Sequence, residues 1–195
     1  MTASLLVRAP DHLGDGVMAL SAIQALRPTI IIGPRWAPDL YANLGARIHP
    51  PGGRWPDADL AVLFKPSLRA AIAARHARRR IGVSHDARWP LLSDVVPTGR
   101  RHRIETYARL ARLAGAPLDD PLPRYAPSAG PAVPEISRDA VLLLPGTASP
   151  ETVRWSGFRD LADRLAGSAV FTGGPDEDAI VRAIAGPHRV IAPLS

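Results

Sequence analysis

Short apolar runs alternate with segments of helical spacing along most of the chain. Four apolar runs in the first half predict buried strands at Ser4–Val7, Thr29–Ile32, Leu60–Phe64 and Arg80–Val83. The segments between and after them predict helices at Val17–Leu26, Trp36–Leu44, Ser67–Ala77 and Arg103–Ala114. Alternation of this kind, with short loops, is typical of a doubly wound parallel sheet.

A proline-rich segment divides this pattern into two regions. Residues 117–135 contain six prolines and little periodicity, which predicts an extended linker between a unit at 1–116 and a second unit at 136–195. The second region predicts strands at Val141–Leu144, Ala169–Thr172 and Arg189–Ile191, and helices at Phe158–Leu165 and Glu177–Ala185. The predicted fold class is therefore α/β, with two Rossmann-like units whose ligands are expected at the carboxyl ends of the strands.

Composition narrows the chemistry that the chain can perform. The 195 residues are 46% hydrophobic and 22% charged, which excludes a mostly disordered or coiled-coil chain. The absence of cysteine excludes disulfide frameworks, thiolate metal sites and cysteine nucleophiles. No apolar run approaches the roughly 18 residues that span a bilayer, and the amino-terminal run is too short for a signal peptide. We therefore expect a cytoplasmic protein.

The chain is basic, with 24 lysines and arginines and a net charge of +6, and Lys65 is its only lysine. We attribute this one-sided use of arginine to a GC-rich genome, although the charge still favours anionic ligands. The densest basic cluster contains Arg75, Arg78, Arg79 and Arg80. Because no aromatic residue interleaves it as a base-stacking platform would require, nucleic-acid binding is not expected. Peripheral contact with anionic lipid at the inner membrane is a hypothesis for these arginines.

The loop after the first predicted strand carries two carboxylates and a histidine, at Asp11, His12 and Asp15. Asp15 lies at the expected start of the first helix. There it would either cap the helix or act as a general base at the carboxyl end of a strand. The helix N-terminus would favour its ionised form in either role. Asp11 and His12 are the competing candidates for the base.

The loop after Val141–Leu144 has the composition of a phosphate-binding loop. Glycine and hydroxyl residues follow the strand and precede a helix, where backbone N–H groups and a cation would face a phosphate. The candidate residues are Gly146, Thr147, Ser149 and Arg154. The alternative is an ordinary turn in which Trp155 serves as a packing residue.

The loop after the next predicted strand begins with Gly173 and Gly174, and Pro175 is well placed to start a helix. The acidic residues at 176–178 would stabilise the first helical turn through the helix dipole. The functional alternative is that Glu177 accepts hydrogen bonds from the ribose hydroxyls of a nucleotide.

Several segments, taken in order, match one family pattern. They are Leu13–Leu26, Arg80–Gly82, His102–Leu110, Leu144–Thr147, Arg154–Trp155 and Gly173–Glu177. This ordered set resembles glycosyltransferase family 9, the ADP-heptose:lipopolysaccharide heptosyltransferases, along nearly the whole chain. The resemblance implies a GT-B fold in which an acceptor-binding unit comes first and a nucleotide-sugar-binding unit second.

The resemblance also implies residue roles. In the family, the aspartate matching Asp15 is the proposed base that deprotonates the acceptor hydroxyl, which attacks the anomeric carbon with inversion as ADP leaves. The glutamate matching Glu177 binds the ribose, and the loop matching residues 147–149 contacts the diphosphate. The implied partners are an ADP-sugar donor and a lipopolysaccharide-core or other lipid-linked acceptor. Neither a metal nor a further cofactor is implied, because fixed donors and a cation can stabilise the leaving diphosphate.

Two departures from the family pattern leave a second function open. Val153 stands where the family has a lysine that reaches the diphosphate. The chain also ends before an Asp-(Ser/Thr)-Gly-x-x-His segment that lines the family's nucleotide site. We expect either a truncated transferase or a non-catalytic remnant that binds a nucleotide or a partner. Truncation would leave Val141–Leu144 as an exposed strand edge, so we expect either a fragment of a longer enzyme or a chain that self-associates through this edge.

Overall fold

The computed structural model describes residues 4–84, 89–97, 99, 102–120, 122, 136–137, 139–146 and 154–191. The chain divides into two compact units, Met1–Ala126 and Pro127–Ser195. The division falls inside the proline-rich segment 117–135, most of which lies outside the described residues. No helix in the described ranges is long and apolar enough to cross a membrane.

Unit 1 is a parallel sheet with helices on both faces. Its strands are β1 (Leu5–Arg8), β2 (Ile30–Ile32), β3 (Arg47–His49), β4 (Ala58–Leu63), β5 (Ala77–Val83) and β6 (Asp94–Val96). Its α-helices are α1 (Leu13–Leu26), α2 (Ala37–Leu40), α3 (Leu68–Ala73) and α4 (Arg103–Leu113). The strands pair in the order β3-β2-β1-β4-β5-β6, and each pair is parallel.

The strand order creates a switch point between β1 and β4. From β1 the chain builds outward through β2 and β3, and it then returns to place β4 on the other side of β1. Side chains alternate between the two faces, so that Val7 packs in the core under α1 and α4 whereas Leu6 packs in the core under α3. In such folds ligands bind in the crevice at the carboxyl ends of the strands beside the switch point.

The structure differs from the sequence prediction at the sheet margins. Strands β3 and β6 were not predicted, because each has three residues and includes charged or polar side chains instead of an apolar run. Helix α3 ends at Ala73 and a 3₁₀ turn covers Ala74–His76, so β5 begins at Ala77, before the expected Arg80. Helix α1 begins at Leu13, four residues earlier than expected.

The arginine cluster lies around the start of β5, at the edge of the sheet opposite the strands' carboxyl ends. Arg79 pairs with Asp94 at 2.7 Å, and Arg80 donates to the carbonyls of Leu91 and Ala77. Arg78 is 86% exposed and has a loose ion pair with Asp59 at 3.6 Å. Part of this cluster therefore stabilises its own unit, and the lipid hypothesis rests on its exposed members.

Unit 2 is a smaller parallel arrangement. Its elements are β7 (Val141–Leu143), α5 (Phe158–Arg164), β8 (Ala169–Phe171), a 3₁₀ turn at Pro175–Glu177, and α6 (Asp178–Ala185). Strands β7 and β8 pair in parallel, and Val190 forms an isolated bridge with Phe171 where a third strand was predicted. The core is built on Phe171 and Val181, whereas Val141 and Leu142 are each 39% exposed. Self-association through this edge stays a prediction.

Candidate functional site

The loop that follows β1 is held in place by aromatic residues around α2. The indole N–H of Trp36 donates to the carbonyl of Asp11 at 3.0 Å, and the hydroxyl of Tyr41 donates to the carbonyl of Gly16 at 3.2 Å. Gly16 has no space for a side chain, because a β-carbon there would overlap the indole ring of Trp36. The loop and the first turn of α1 are thus fixed by contacts from outside the loop.

Asp11 joins the carboxyl ends of β1 and β4. Its Oδ1 bonds Arg8, the last residue of β1, at 2.5 Å, and its Oδ2 bonds Lys65, which lies just beyond β4. Arg8 is only 5% exposed and also donates to the carbonyl of Ala9. Burial alone would raise the pKa of Asp11, but the hydrogen bonds and charges of Lys65 and Arg8 outweigh it and lower that pKa. Asp11 is therefore a stable anion that is shared between two cations.

A cavity of about 670 Å³ opens beside this cluster, between the loops that follow β1, β3 and β4. Its polar and aromatic lining includes Arg8, Asp11, Trp55, Lys65, Ser67 and Arg69. Three of these residues are cationic and one is anionic. The cavity is suited to a polar ligand that carries negative charge.

Asp15 does not cap α1. His12 occupies the N-cap position, without a side-chain hydrogen bond of its own, and Asp15 is the third helical residue. The Asp15 side chain is 15% exposed, and its Oδ2 accepts a hydrogen bond from Nη1 of Arg103 at 2.6 Å. Of the two alternatives for Asp15, helix capping is wrong, because the carboxylate turns toward the first residue of α4.

Tyr107 completes the surroundings of Asp15. Burial and the charge of Asp15 raise the pKa of Tyr107 to about 12, against the lowering effect of Arg103. A hydrogen bond with Tyr107 and the charge of Asp15 in turn raise the pKa of Arg103. The aspartate, the guanidinium and the phenol thus form one polar group between α1 and α4.

The two aspartates differ in what they offer to a substrate. Both carboxylate oxygens of Asp11 are held by cations. For Asp15, Arg103 holds Oδ2, and Oδ1 has no hydrogen-bond partner among the residues that the structure describes. Asp15 is therefore the better candidate for a base, and the exposed His12 shows no hydrogen-bond partner among the described residues.

Glycines and a glutamate meet at the carboxyl end of the sheet in unit 2. The Glu177 carboxylate accepts a hydrogen bond from the N–H of Gly174 at 2.8 Å, which stabilises the turn into α6. A β-carbon on Gly146 would overlap this carboxylate, and one on Gly173 would crowd both it and Val181. The loops after β7 and β8 therefore meet around Glu177. The second Glu177 oxygen accepts no hydrogen bond within the described ranges.

The structure describes only some of the remaining candidate residues of unit 2. Thr147, Ser149 and Val153 lie outside the described residues. Arg154 is half-buried, and its Nε donates to the carbonyl of Pro145 at 3.1 Å, so it lies against the loop after β7. Trp155 is 57% exposed and meets the ring of Phe158 edge-on at 5.2 Å, so packing involves only part of its surface.

Sequence reasoning missed four residues of the site, namely Arg8, Lys65, Arg103 and Tyr107. The sequence could have identified Arg8 and Lys65, because each is a cation at the carboxyl end of an apolar strand. Arg103 and Tyr107 had no such local signal, because their role depends on how α4 packs against α1.

No group of three His, Asp or Glu side chains in the described parts of the chain could hold a metal ion.

The comparisons with known proteins bear on the fold. The structure is similar to the crystal structure of a glycosyl transferase family 9 protein from Veillonella parvula DSM 2008, with a TM-score of 0.74 and 17% sequence identity. The similarity covers 97% of this chain and 70% of that protein. No family model and no curated protein matches the sequence. The structural similarity confirms the predicted GT-B-like α/β class with two Rossmann-like units.

Proposed function

We propose that the protein is an inverting glycosyltransferase that moves a sugar from a nucleotide-sugar to a hydroxyl of a glycan acceptor. The observation that carries the proposal is the structural similarity to a glycosyl transferase family 9 protein over 97% of the chain. In the proposed assignment, unit 1 binds the acceptor and unit 2 binds the donor. The finer proposal is an ADP-sugar donor, with heptose as the sugar, and a lipopolysaccharide-core acceptor.

The proposed base is Asp15, and its surroundings support that role. Its Oδ1 has no partner in the described parts of the chain, so it is available to accept the proton of an acceptor hydroxyl. The hydroxyl oxygen then bonds the anomeric carbon, the bond from that carbon to the diphosphate breaks, and the nucleoside diphosphate departs with the electron pair. General base assistance of this kind is worth about 10²–10⁴ in rate.

The cavity of unit 1 is the proposed site for the anionic part of the acceptor; its described lining includes Asp11 but not Asp15, so the reacting hydroxyl would lie outside the cavity. Arg8, Lys65 and Arg69 supply three positive charges, of which Asp11 offsets one. Acceptor glycans that carry carboxylate or phosphate groups would therefore bind more tightly than neutral ones. Trp55 contributes to the wall of the cavity, but it is buried in the core beneath it.

Unit 2 offers groups for the donor at the carboxyl end of its sheet. Glu177 has one carboxylate oxygen in its turn and a second that can accept hydrogen bonds from ribose hydroxyls. Arg154 supplies a cation near the loop after β7, where the departing diphosphate needs charge stabilisation. Gly146 and Gly173 keep space for the Glu177 side chain.

The test is nucleoside diphosphate release from a panel of ADP-, GDP- and UDP-sugars, with glycan acceptors that differ in anionic groups. We expect turnover of an ADP-sugar by the wild-type protein and a loss of about 10²–10⁴-fold in Asp15→Asn with unchanged ADP affinity. Asp57→Asn is the matched control, because that carboxylate is exposed and its ion pair with Arg54 is long, at 3.6 Å. Equal turnover in Asp15→Asn and wild type would contradict the base assignment. ADP binding without any turnover would favour the non-catalytic alternative.

A further inference from the structure

Arg103 is the residue that holds the proposed base. It opens helix α4, 88 residues away in sequence from Asp15, and its Nη1 donates to Oδ2 of Asp15 at 2.6 Å. We propose that Arg103 is a positioning residue that fixes the Asp15 carboxylate so that Oδ1 faces the acceptor hydroxyl. This inference rests on the proposed function, because it gives Asp15 the role of base.

The Arg103 guanidinium lies beside Tyr107, a buried residue of the same helix. Tyr107 lies one turn further along α4, and its phenol interacts electrostatically with Arg103. Tyr107 is only 3% exposed, and its ring packs against Phe64 at 5.3 Å, at the end of β4. Tyr107 is thus fixed against the sheet one turn from Arg103, and Arg103 in turn holds the carboxylate. Supporting contacts of this kind set the orientation of a reacting group.

The packing of α1 against α4 keeps the Asp15–Arg103 contact rigid. Ala19 and Ile23 of α1 pack in the same buried core as Leu110 and Ala111 of α4. The backbones that carry the carboxylate and the guanidinium thus keep a fixed separation. An aspartate has several side-chain conformers, and a bond to one oxygen selects among them.

The pair contributes little to stability, which separates positioning from folding. Arg103 is 56% exposed, and ion pairs with an exposed partner have small effects on the free energy of unfolding. A variant without the guanidinium should therefore fold. Its loss of activity would then report the geometry of the base and not the amount of folded protein.

The activity test compares Arg103→Met with Arg103→Lys in the full chain. We expect Arg103→Met to lower kcat by about 10²-fold, the effect typical of a misplacement near 1 Å, with donor and acceptor KM nearly unchanged. Arg103→Lys should recover most of the activity, because a single N–H···O contact suffices. Arg112→Met is the matched control, since it removes a different ion pair of α4, to Glu105 at 3.6 Å.

A double variant tests whether Arg103 acts through Asp15. In the Asp15→Asn background, Arg103→Met should cause no further loss of kcat, because the carboxylate that Arg103 positions has been removed. Equal additional losses in both backgrounds would overturn the inference. A raised acceptor KM with unchanged kcat would also overturn it, because Arg103 would then contact the acceptor directly.

A crystal structure of Arg103→Met provides a readout that does not depend on turnover. We expect the Asp15 carboxylate to leave its position or to occupy several conformers, with the α1 and α4 backbones unchanged. A single, unmoved carboxylate would overturn the inference even if the enzyme is active. Conversely, full activity of Asp15→Asn would remove the assignment of Asp15 as the base, while the crystal structure still decides whether Arg103 holds the carboxylate.

Discussion

The Glu177 carboxylate fills the space that a β-carbon on Gly146 would occupy. The two residues belong to different loops, one after β7 and one at the start of α6. The absence of a side chain at position 146 therefore allows the glutamate to reach the carboxyl end of the sheet. A local glycine and a distant acid form one feature of the candidate nucleotide site.

Gly146→Ala should weaken nucleotide binding without unfolding the protein. The added methyl group would displace the flexible end of Glu177 and break its bond to the N–H of Gly174. We expect at least about a ten-fold loss of ADP affinity, or about 1.4 kcal/mol, by titration calorimetry. Gly174→Ala is the control, because its nearest neighbour, a Glu177 oxygen, would lie at an ordinary 3.5 Å. Equal affinity in both variants would contradict this account.

Gly16→Ala and Gly14→Ala should have opposite effects on stability. Both glycines lie in the first turn of α1, but a β-carbon at Gly16 would overlap Trp36, whereas one at Gly14 would have nothing within 4 Å. We expect Gly16→Ala to cost about 1–3 kcal/mol through overpacking. Gly14→Ala should be neutral or stabilising by up to about 1 kcal/mol. Chemical denaturation measures both values, and a similar effect at the two sites would show that Trp36 yields easily.

Asp11→Asn should destabilise unit 1 by about 1–2 kcal/mol, because Arg8 is buried and would lose its counter-charge. This loss of unfolding free energy is smaller than for a fully buried ion pair, since the Asp11 side chain is 37% exposed. The pKa of Asp11 is lowered in the folded protein, so its contribution is present above about pH 4 and is lost as the pH falls through the folded value. Unfolding curves between neutral and acidic pH should converge for wild type and Asp11→Asn. Parallel curves would show that the pair adds no pH-dependent stability.

Tyr107 should make the protein sensitive to alkali. Its pKa is raised to about 12, above the value of about 10 in an unfolded chain. The folded state thus keeps a proton that the unfolded state has lost, and stability falls as the pH rises from about 10 to 12. Two pKa units correspond to about 3 kcal/mol at most. Tyr107→Phe should flatten the curve of unfolding free energy against pH in this range. An unchanged slope would show that another group causes the loss of stability at high pH.

The exposed arginines near the start of β5 should determine any contact with anionic lipid. Arg75 and Arg78 are exposed, whereas Arg80 bonds carbonyls of its own unit. Arg75→Gln with Arg78→Gln should weaken binding to anionic vesicles about five-fold per charge, with an unchanged Tm. Arg80→Gln should lower the Tm instead. Unaltered vesicle binding by the double variant would remove the lipid hypothesis.

The sequence predicted the elements whose residues are uniformly apolar. Ile30–Ile32 and Ala169–Phe171 are buried aliphatic or aromatic runs, and both are strands. Arg47–His49 is also a strand, but it lies at the margin of the sheet, where one neighbour suffices and polar side chains face solvent. Such strands depend on the partner that they pair with more than on their own composition.

The candidate site was predictable only where its residues share a loop. The first loop contains both aspartates, so sequence reasoning identified them and left their roles open. The difference between them arises from distant partners, because Lys65 lies 54 residues from Asp11 and Arg103 lies 88 residues from Asp15. Those partners follow from strand order and helix packing, which no local pattern encodes.

The ion pair at the cavity contains the one lysine of the 195-residue sequence. Amine-directed chemistry therefore has a single side-chain target, and that target lies on the wall of the proposed acceptor cavity. A chromophore or isotope label attached at Lys65 would report occupation of the cavity directly, and ligands that fill it would protect the amine from modification.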